Sequence, residues 1–338
     1  MFLAASPVAR ETLERGRASK PVKEDVQKVP TLKEFGLRFL DGYAKANRLK
    51  PSGIAAKETI LNRHLIPALG KTRLDAIVSE SVEQIKFALQ AKSVKTTNNV
   101  LTVLGVLLKK AVEWSVIDRM PCTIRLLKVP KASMAFHDFD DYDKLVQAAV
   151  RVDMNTYVLV LLGGDAGLRL GEMMALEWPD VDLHKRQLTV QHSDWKGHVT
   201  TTKGGRLRHV PMTERLAAAL KALRHLRGKR VLVQPNGEPL TMKIVQDRIA
   251  SAARRAGIRP GVHILRHTFC SHLAMRGAPA RAIQELAGHQ DLKTTNRYMH
   301  ISPAAVDEAI RLLDARRTSP VFGNMLATES TESVNSSR

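Results

Sequence analysis

The chain has 338 residues, 44% of them hydrophobic, so it is long enough for two domains with packed cores. A formal net charge of +20, from 53 Lys and Arg against 33 Asp and Glu, favours a polyanionic partner. Two cysteines are too few for a disulfide framework and suit a reducing, cytoplasmic setting, and no run approaches about 18 apolar residues, so neither a membrane span nor a membrane partner is expected.

Residues 1–30 mix charges with Pro21 and Pro30 and lack apolar periodicity, which reads as a flexible, slightly basic arm. The opening MFLAASPVAR lacks the basic n-region of a signal peptide. Residues 31–127 read as a helical bundle. Leu32, Phe35, Leu37, Phe39 and Leu40 recur at roughly helical spacing. A second helix is expected from Gly53 to Leu65, ending near Pro67 and Gly70, a short one after Ser79, and a longer one from Val94 to Trp114. Leu101, Leu104, Leu107, Leu108 and Ala111 share one face of the last. Gly70-Lys71-Thr72 is not a phosphate loop, because Leu65 stands where that loop needs its first glycine. Lys92, Lys95, Lys109 and Lys110, and Arg206 further on, are candidate phosphate contacts, although any solvated face carries such residues.

Residues 1–136 hold 24 Lys and Arg against 12 Asp and Glu, and the remainder keeps an excess of 8, so both halves could grip nucleic acid. The stretch 118–136 carries two prolines and four basic residues, and a linker is placed at residues 128–136. The second domain, residues 137–316, opens with a helix over Asp140–Val150 capped by Asp138. A buried helix over Thr156–Leu162 is expected to break at Gly163-Gly164. Arg169 follows Gly167 near the start of the next helix, where backbone N–H groups and a guanidinium can face one anion. Glu172, three residues on, either orients Arg169 or forms a plain surface pair with it.

Strands are expected at Gln187–Gln191, His198–Lys203 and Leu207–Met212, with Gly204-Gly205 as the tight turn between the last two and Lys203 at the strand end. Helices follow over Glu214–Leu226, Met242–Ala256, His263–Met275, Ala280–Ala287, Leu292–Met299 and Pro303–Ala315. The Ser/Thr/Asn-rich residues 317–338 read as a disordered tail. The fold class is therefore mainly α with a small antiparallel β-sheet, in two domains.

The chemistry concentrates in Val262–Ser302. His263 and Arg266 lie three residues apart, His289 sits in an Ala-Gly-His run, and Tyr298 precedes Met299-His300. Singly, each has a bland reading: a helical Tyr is usually a core residue with a satisfied hydroxyl. His263, His267, Cys270 and His272 raise zinc, but their spacing matches no common zinc pattern and no second Cys pair follows, so no metal is expected.

Together, His263-Ile-Leu-Arg266, Leu286-Ala-Gly-His289 and Tyr298-Met-His300 resemble the signature series of the tyrosine recombinases, the phage-integrase-type site-specific recombinases. Gly167-Leu168-Arg169-Leu170-Gly171-Glu172 looks like that family's first-arginine motif, and Thr202-Lys203-Gly204-Gly205 with Arg208-His209-Val210-Pro211 like the hairpin carrying its lysine. The specific matches run from about residue 137 to 313, and Ala287 departs from the leucine more usual there.

The resemblance implies a clamp on double-stranded DNA, made of a core-type DNA-binding bundle and a catalytic domain of α+β type. It also implies a homotetramer on specific recombination sites, with room for DNA-bending accessory proteins, and no cofactor. It assigns Arg169 and Arg266 to the nonbridging phosphate oxygens, His289 as a third donor, Tyr298 as nucleophile, His263 as its base and Lys203 as the acid for the 5′ oxygen. The residue chemistry fits: forked guanidinium donors match a phosphate that gains charge in the transition state. A phenol of pKa about 10 needs a base or a positive field. A phosphotyrosine ester conserves the bond energy, so rejoining needs neither ATP nor metal. The rival readings are a type IB topoisomerase and a non-catalytic basic DNA-binding regulator, which has no need of Tyr298.

Overall fold

The structure, a computed structural model, describes residues 28–130, 134–202 and 204–299. Most of the expected arm (1–27), Lys203, His300, the helix expected from Pro303 and the expected tail lie outside these residues. The chain divides into two compact units, Met1–Pro130 and Lys131–Arg338. The architecture is mainly α with small antiparallel sheets.

In the first unit, α1 (Leu32–Phe39) starts at a capping box: Thr31 N–H donates to Glu34 Oε2 at 2.8 Å while Glu34 N–H donates back to Thr31 Oγ1 at 3.4 Å. Leu32, Phe35 and Phe39 are fully buried, whereas Leu37, expected on the same face, is 59% exposed because it falls off the i, i+3, i+7 stripe. Pro51 opens α2 (Pro51–Ile60), which continues through a wider turn at Leu61–Leu65 into α3 (Ile66–Leu69). Then come α4 (Ser79–Ala88) and α5 (Val94–Glu113), the latter capped by Ser93. The five apolar residues expected on one face of α5 are all fully buried. Asn98 of α5 pairs in both directions with the backbone of Leu127, each bond 2.9 Å. Val29 packs on the core and the Pro30 carbonyl accepts from Leu74, so these residues of the expected arm belong to the bundle.

The second unit opens with α6 (Phe139–Val150), whose cap Asp138 accepts from Asp141 N–H at 2.8 Å. It packs on α7 (Met154–Gly164), which is buried nearly all round. Gly163 and Gly164 do not break this helix. They are its last residues, and a Cβ on either would fall 2.7 Å from Leu265 Cβ or 2.2 Å from the Tyr142 hydroxyl. The glycines serve close packing rather than a break.

Next come α8 (Leu170–Ala175) and strands β1 (Val181–Asp182), β2 (Gln187–Val190), β3 (His192–Trp195), β4 (His198–Thr201) and β5 (Arg208–Pro211). The strand pairing differs from expectation. β4 pairs with β3 through a two-residue turn at Lys196-Gly197, both with positive φ, and β5 pairs with β2, which also pairs with β1. Gly204-Gly205 therefore lie in a turn between two sheets, where Gly205 N–H donates to the Thr202 carbonyl at 3.0 Å. Positive φ at both central residues matches the strand twist and closes the β3–β4 hairpin locally; Gly204 and Gly205 share that property, so it is the pairing of β5 with β2 that keeps them out of a hairpin.

Among the described residues the unit continues with α9 (Glu214–Leu223), α10 (Met242–Ala256), α11 (Val262–Met275), α12 (Ala280–Ala287) and α13 (Leu292–Met299). Helices α11, α12 and α13 share a small core of Phe269, Cys270, Ala274, Ile283, Ala287 and Tyr298. No helix among the described residues is long and apolar enough to cross a membrane.

Candidate active site

The site begins at Gly167, whose φ of +64° suits glycine. A Cβ there would lie 2.4 Å from the Phe269 ring, so the residue must also be small. Its carbonyl accepts from Nη1 of Arg266, which rises from the first turns of α11. Two residues on, Arg169 is extended and caps α8. Glu172 reaches back to it, Oε2 accepting from Arg169 N–H at 2.9 Å and Oε1 from Nη1 at 2.7 Å. Nη2 of Arg169 donates to the Gly288 carbonyl at 2.9 Å, beside His289.

A second guanidinium shares the same carboxylate. Arg208 of β5 donates through Nη2 to Glu172 Oε2 at 2.7 Å and through Nη1 to Oε1 at 3.2 Å, while its Nε reaches the Leu286 carbonyl at 3.0 Å. Glu172 is 2% exposed. Burial alone would raise its pKa, but the hydrogen bonds and charge of Arg208, then the charge of Arg169, outweigh burial and bring it to about 2. The carboxylate is an internal counter-ion, not a surface partner.

On the other side, α13 presents Tyr298, 1% exposed. Its hydroxyl lies 2.7 Å from Nδ1 of His267 and also contacts the Cys270 thiol. Its ring runs parallel to that of His289, with centroids 6.1 Å apart and an interplanar angle of 3°. His289 is fixed by Thr295, whose Oγ1 lies 2.9 Å from His289 Nδ1.

Burial, then Cys270, push the Tyr298 pKa above the usual phenol range, against the pull of Arg266. Burial, then the neighbouring His263 and Arg266, push His267 down to about 4. Burial with Arg266 and Arg169 takes His289 to about 3. Burial and Arg169 lower Arg266 to about 10.

Burial is the first cause of all four shifts, and the positive charge gathered here adds to it for His267, His289 and Arg266 while opposing it for Tyr298. Nη2 of Arg266 is buried without a hydrogen-bond partner among the described residues. An orphaned buried donor is costly, and an anion is the natural group to satisfy it. The arrangement therefore offers three cationic or donor side chains and a phenol to one anion.

The sequence pattern of the phage integrase family matches residues 136–305, and that of its N-terminal SAM-like domain matches residues 31–85. The chain belongs to the phage integrase family. Tyrosine recombinase XerC of Xanthomonas campestris pv. campestris (strain B100) is 33% identical over 186 residues, covering 53% of this chain and 55% of that protein. The chain thus spans about half the length of such relatives. The fold is similar to that of the Tn1549 transposon integrase in complex with a circular intermediate DNA, with a TM-score of 0.73 and 19% identity over 84% of this chain and 99% of that one. It is also similar to that of lambda integrase in a tetramer bound to a Holliday junction, with a TM-score of 0.65 and 18% identity over 84% and 85% of the two chains.

Of the residues singled out in the sequence, Arg169, Glu172, Arg266, His289 and Tyr298 come together. His263 stands edge-on to His267, centroids 5.2 Å apart, but the imidazole on the phenol is His267. Lys203 lies outside the described residues. Arg206 is exposed on the loop beyond it, its carbonyl taking the Thr202 hydroxyl at 2.8 Å. In the first unit, Lys92, Lys95 and Lys109 are exposed, whereas Lys110 is held by Glu113 at 2.6 Å and lies over the Tyr43 ring.

Of the four residues weighed against zinc, Cys270 turns to Tyr298 and His272 to the His137 carbonyl. Among the described residues no group of His, Cys, Asp or Glu converges to hold a metal ion. Sequence reasoning missed Arg208 and His267 as site residues. Arg208 had a readable signal: in a strand, residues two apart share a face, and Arg208 shares its face with buried Val210.

Proposed function

We propose that this chain is a tyrosine-type site-specific DNA recombinase that cuts and rejoins DNA without metal or ATP. The observation that carries the reading is the buried Tyr298 phenol beside His289 and Arg266, the latter with an unfilled guanidinium donor. Family membership and the excess of basic residues in both halves of the sequence support DNA as the anion.

In this reading the scissile phosphate completes Arg266 and takes donors from Arg169 and His289. The Tyr298 oxygen attacks phosphorus, the bond to the 5′ oxygen breaks, and a 3′-phosphotyrosine and a free 5′ hydroxyl result. The phenol proton leaves first to His267, whose Nδ1 already lies 2.7 Å away, rather than to His263 as expected from sequence. A phosphate anion beside them raises the basicity of His267 and His289, both lowered first by burial and then by neighbouring positive groups. Lys203 delivers the proton to the 5′ oxygen. A second 5′ hydroxyl reverses the step on a new strand. The lambda integrase tetramer on a Holliday junction supports four protomers acting together on DNA.

The test is a nicked suicide DNA carrying the recombination site, run on a denaturing gel. The parent protein should form a covalent adduct and Tyr298→Phe should form none while still binding DNA. Adduct formation by Tyr298→Phe removes Tyr298 as nucleophile; relaxation without site dependence assigns a topoisomerase; binding without any adduct assigns a regulator.

A further inference from the structure

We propose that Arg208 is a positioning residue for strand cleavage, locking Arg169 and the Gly288–His289 turn in one geometry through Glu172 and Leu286. The proposal rests on the recombinase reading above. Each oxygen of Glu172 receives two donors: Oε1 takes Nη1 of both arginines, and Oε2 takes Nη2 of Arg208 and the backbone N–H of Arg169. Without Arg208, each oxygen of Glu172 keeps one donor, both from Arg169, and the Arg169–Glu172 pair loses its tie to β5.

The third nitrogen of Arg208 closes the circuit. Nε binds the Leu286 carbonyl at the end of α12, two residues before Gly288, whose own carbonyl holds Nη2 of Arg169. The Arg208 side chain lies against Gly288 so closely that a Cβ there would come within 3.1 Å of its Cδ and Nη1. Gly288 also adopts a φ of +64°, so the turn that delivers His289 is shaped around this arginine. One side chain on β5 thus ties α8, the end of α12 and the His289 turn together.

Direct contact with DNA is the weaker alternative for Arg208, because its side chain is 10% exposed and all three of its nitrogens are engaged within the protein. Lysine cannot replace it, since one ammonium cannot serve both carboxylate oxygens and the Leu286 carbonyl with a planar fork.

The test compares the parent chain, Arg208→Lys and Arg208→Gln for single-turnover cleavage of the suicide DNA, DNA affinity and thermal melting. The same DNA is also made with a racemic methylphosphonate at the scissile position. We expect Arg208→Lys to cleave about ten- to a hundredfold more slowly, the scale of a small misplacement of reacting groups, with DNA affinity within about twofold of the parent. The neutral methylphosphonate relaxes the demand for aligned positive charge, so the deficit of Arg208→Lys should shrink on it. If the lysine variant melts below the assay temperature, the glutamine variant carries the comparison.

A deficit of equal size on both DNAs, or loss of the folded state in both variants, makes Arg208 structural and overturns the proposal. A parent that cleaves beside variants of parental rate overturns it alone. A parent that forms no adduct overturns the recombinase reading, and the proposal with it.

Discussion

The Tyr298 hydroxyl lies 2.7 Å from Nδ1 of His267, inside a core that leaves the tyrosine 1% exposed. A phenol whose pKa is raised by burial thus rests on an imidazole whose pKa is lowered to about 4, so both partners are neutral near pH 7 and a neutral hydrogen bond joins them.

That pairing gives the first prediction. His267→Phe removes the acceptor and should slow adduct formation by about a hundredfold or more, the lower range of general-base catalysis. His263→Phe should be milder. Rates on suicide DNA decide it, and a harsher defect in His263→Phe would return the base role to His263.

The same depressed pKa values set the acid stability. His267 at about 4 and His289 at about 3 lie below their ordinary 6.5, so the unfolded chain binds protons first. Their contribution is full above pH 6.5 and is lost as pH falls through 4 and towards 3. Glu172, at about 2 rather than 4.5, acts in the same direction at lower pH. Melting temperature measured from pH 7 to 3 should fall steadily. A flat profile between 6.5 and 4 contradicts the assignment.

Glu172→Ala leaves two guanidiniums facing each other without their buried counter-ion. Removing one partner of a buried pair costs about 3–5 kcal/mol. Urea denaturation should show a loss of that size, and a loss below about 1 kcal/mol, the scale of an exposed pair, would mean the network is solvated.

Gly167→Ala places a side chain at positive φ and against the Phe269 ring. Strain of this kind costs about 1–3 kcal/mol before the clash is counted. The Gly167 carbonyl that holds Arg266 should shift, so cleavage should fall more than stability alone explains. Parental cleavage in a destabilised Gly167→Ala would show that this anchor is dispensable.

Lys203 can be tested by changing its leaving group. An alkoxide is strongly basic, with water at about 15.7 as a guide, whereas a cysteine-like thiol has a pKa of about 8.5. Lys203→Ala should be slow on ordinary DNA and near the parental rate when sulfur replaces the 5′ bridging oxygen. Arg266→Ala should be slow on both. Failure of sulfur to rescue Lys203→Ala moves the acid role elsewhere.

The sequence by itself determined the elements that local chemistry ends. α10 and α12 begin and end as their apolar spacing and flanking residues specify, with Gly257 and Gly288 closing them in left-handed conformation. It also determined which residue types meet, because the motif spacings in Gly167–Glu172 and Val262–Tyr298 are recognisable without coordinates.

Only the tertiary structure decided strand pairing, since Gly204-Gly205 offered a plausible local turn while β5 found its partner in β2, far upstream. Tertiary structure likewise decided that His267 and not His263 touches the phenol, and that Arg208 shares Glu172 with Arg169. The physical reason is the same in each case. Local propensity acts over a few residues, but a hydrogen bond between side chains 31 or 36 positions apart exists only after packing has dehydrated both partners and left them no other solution.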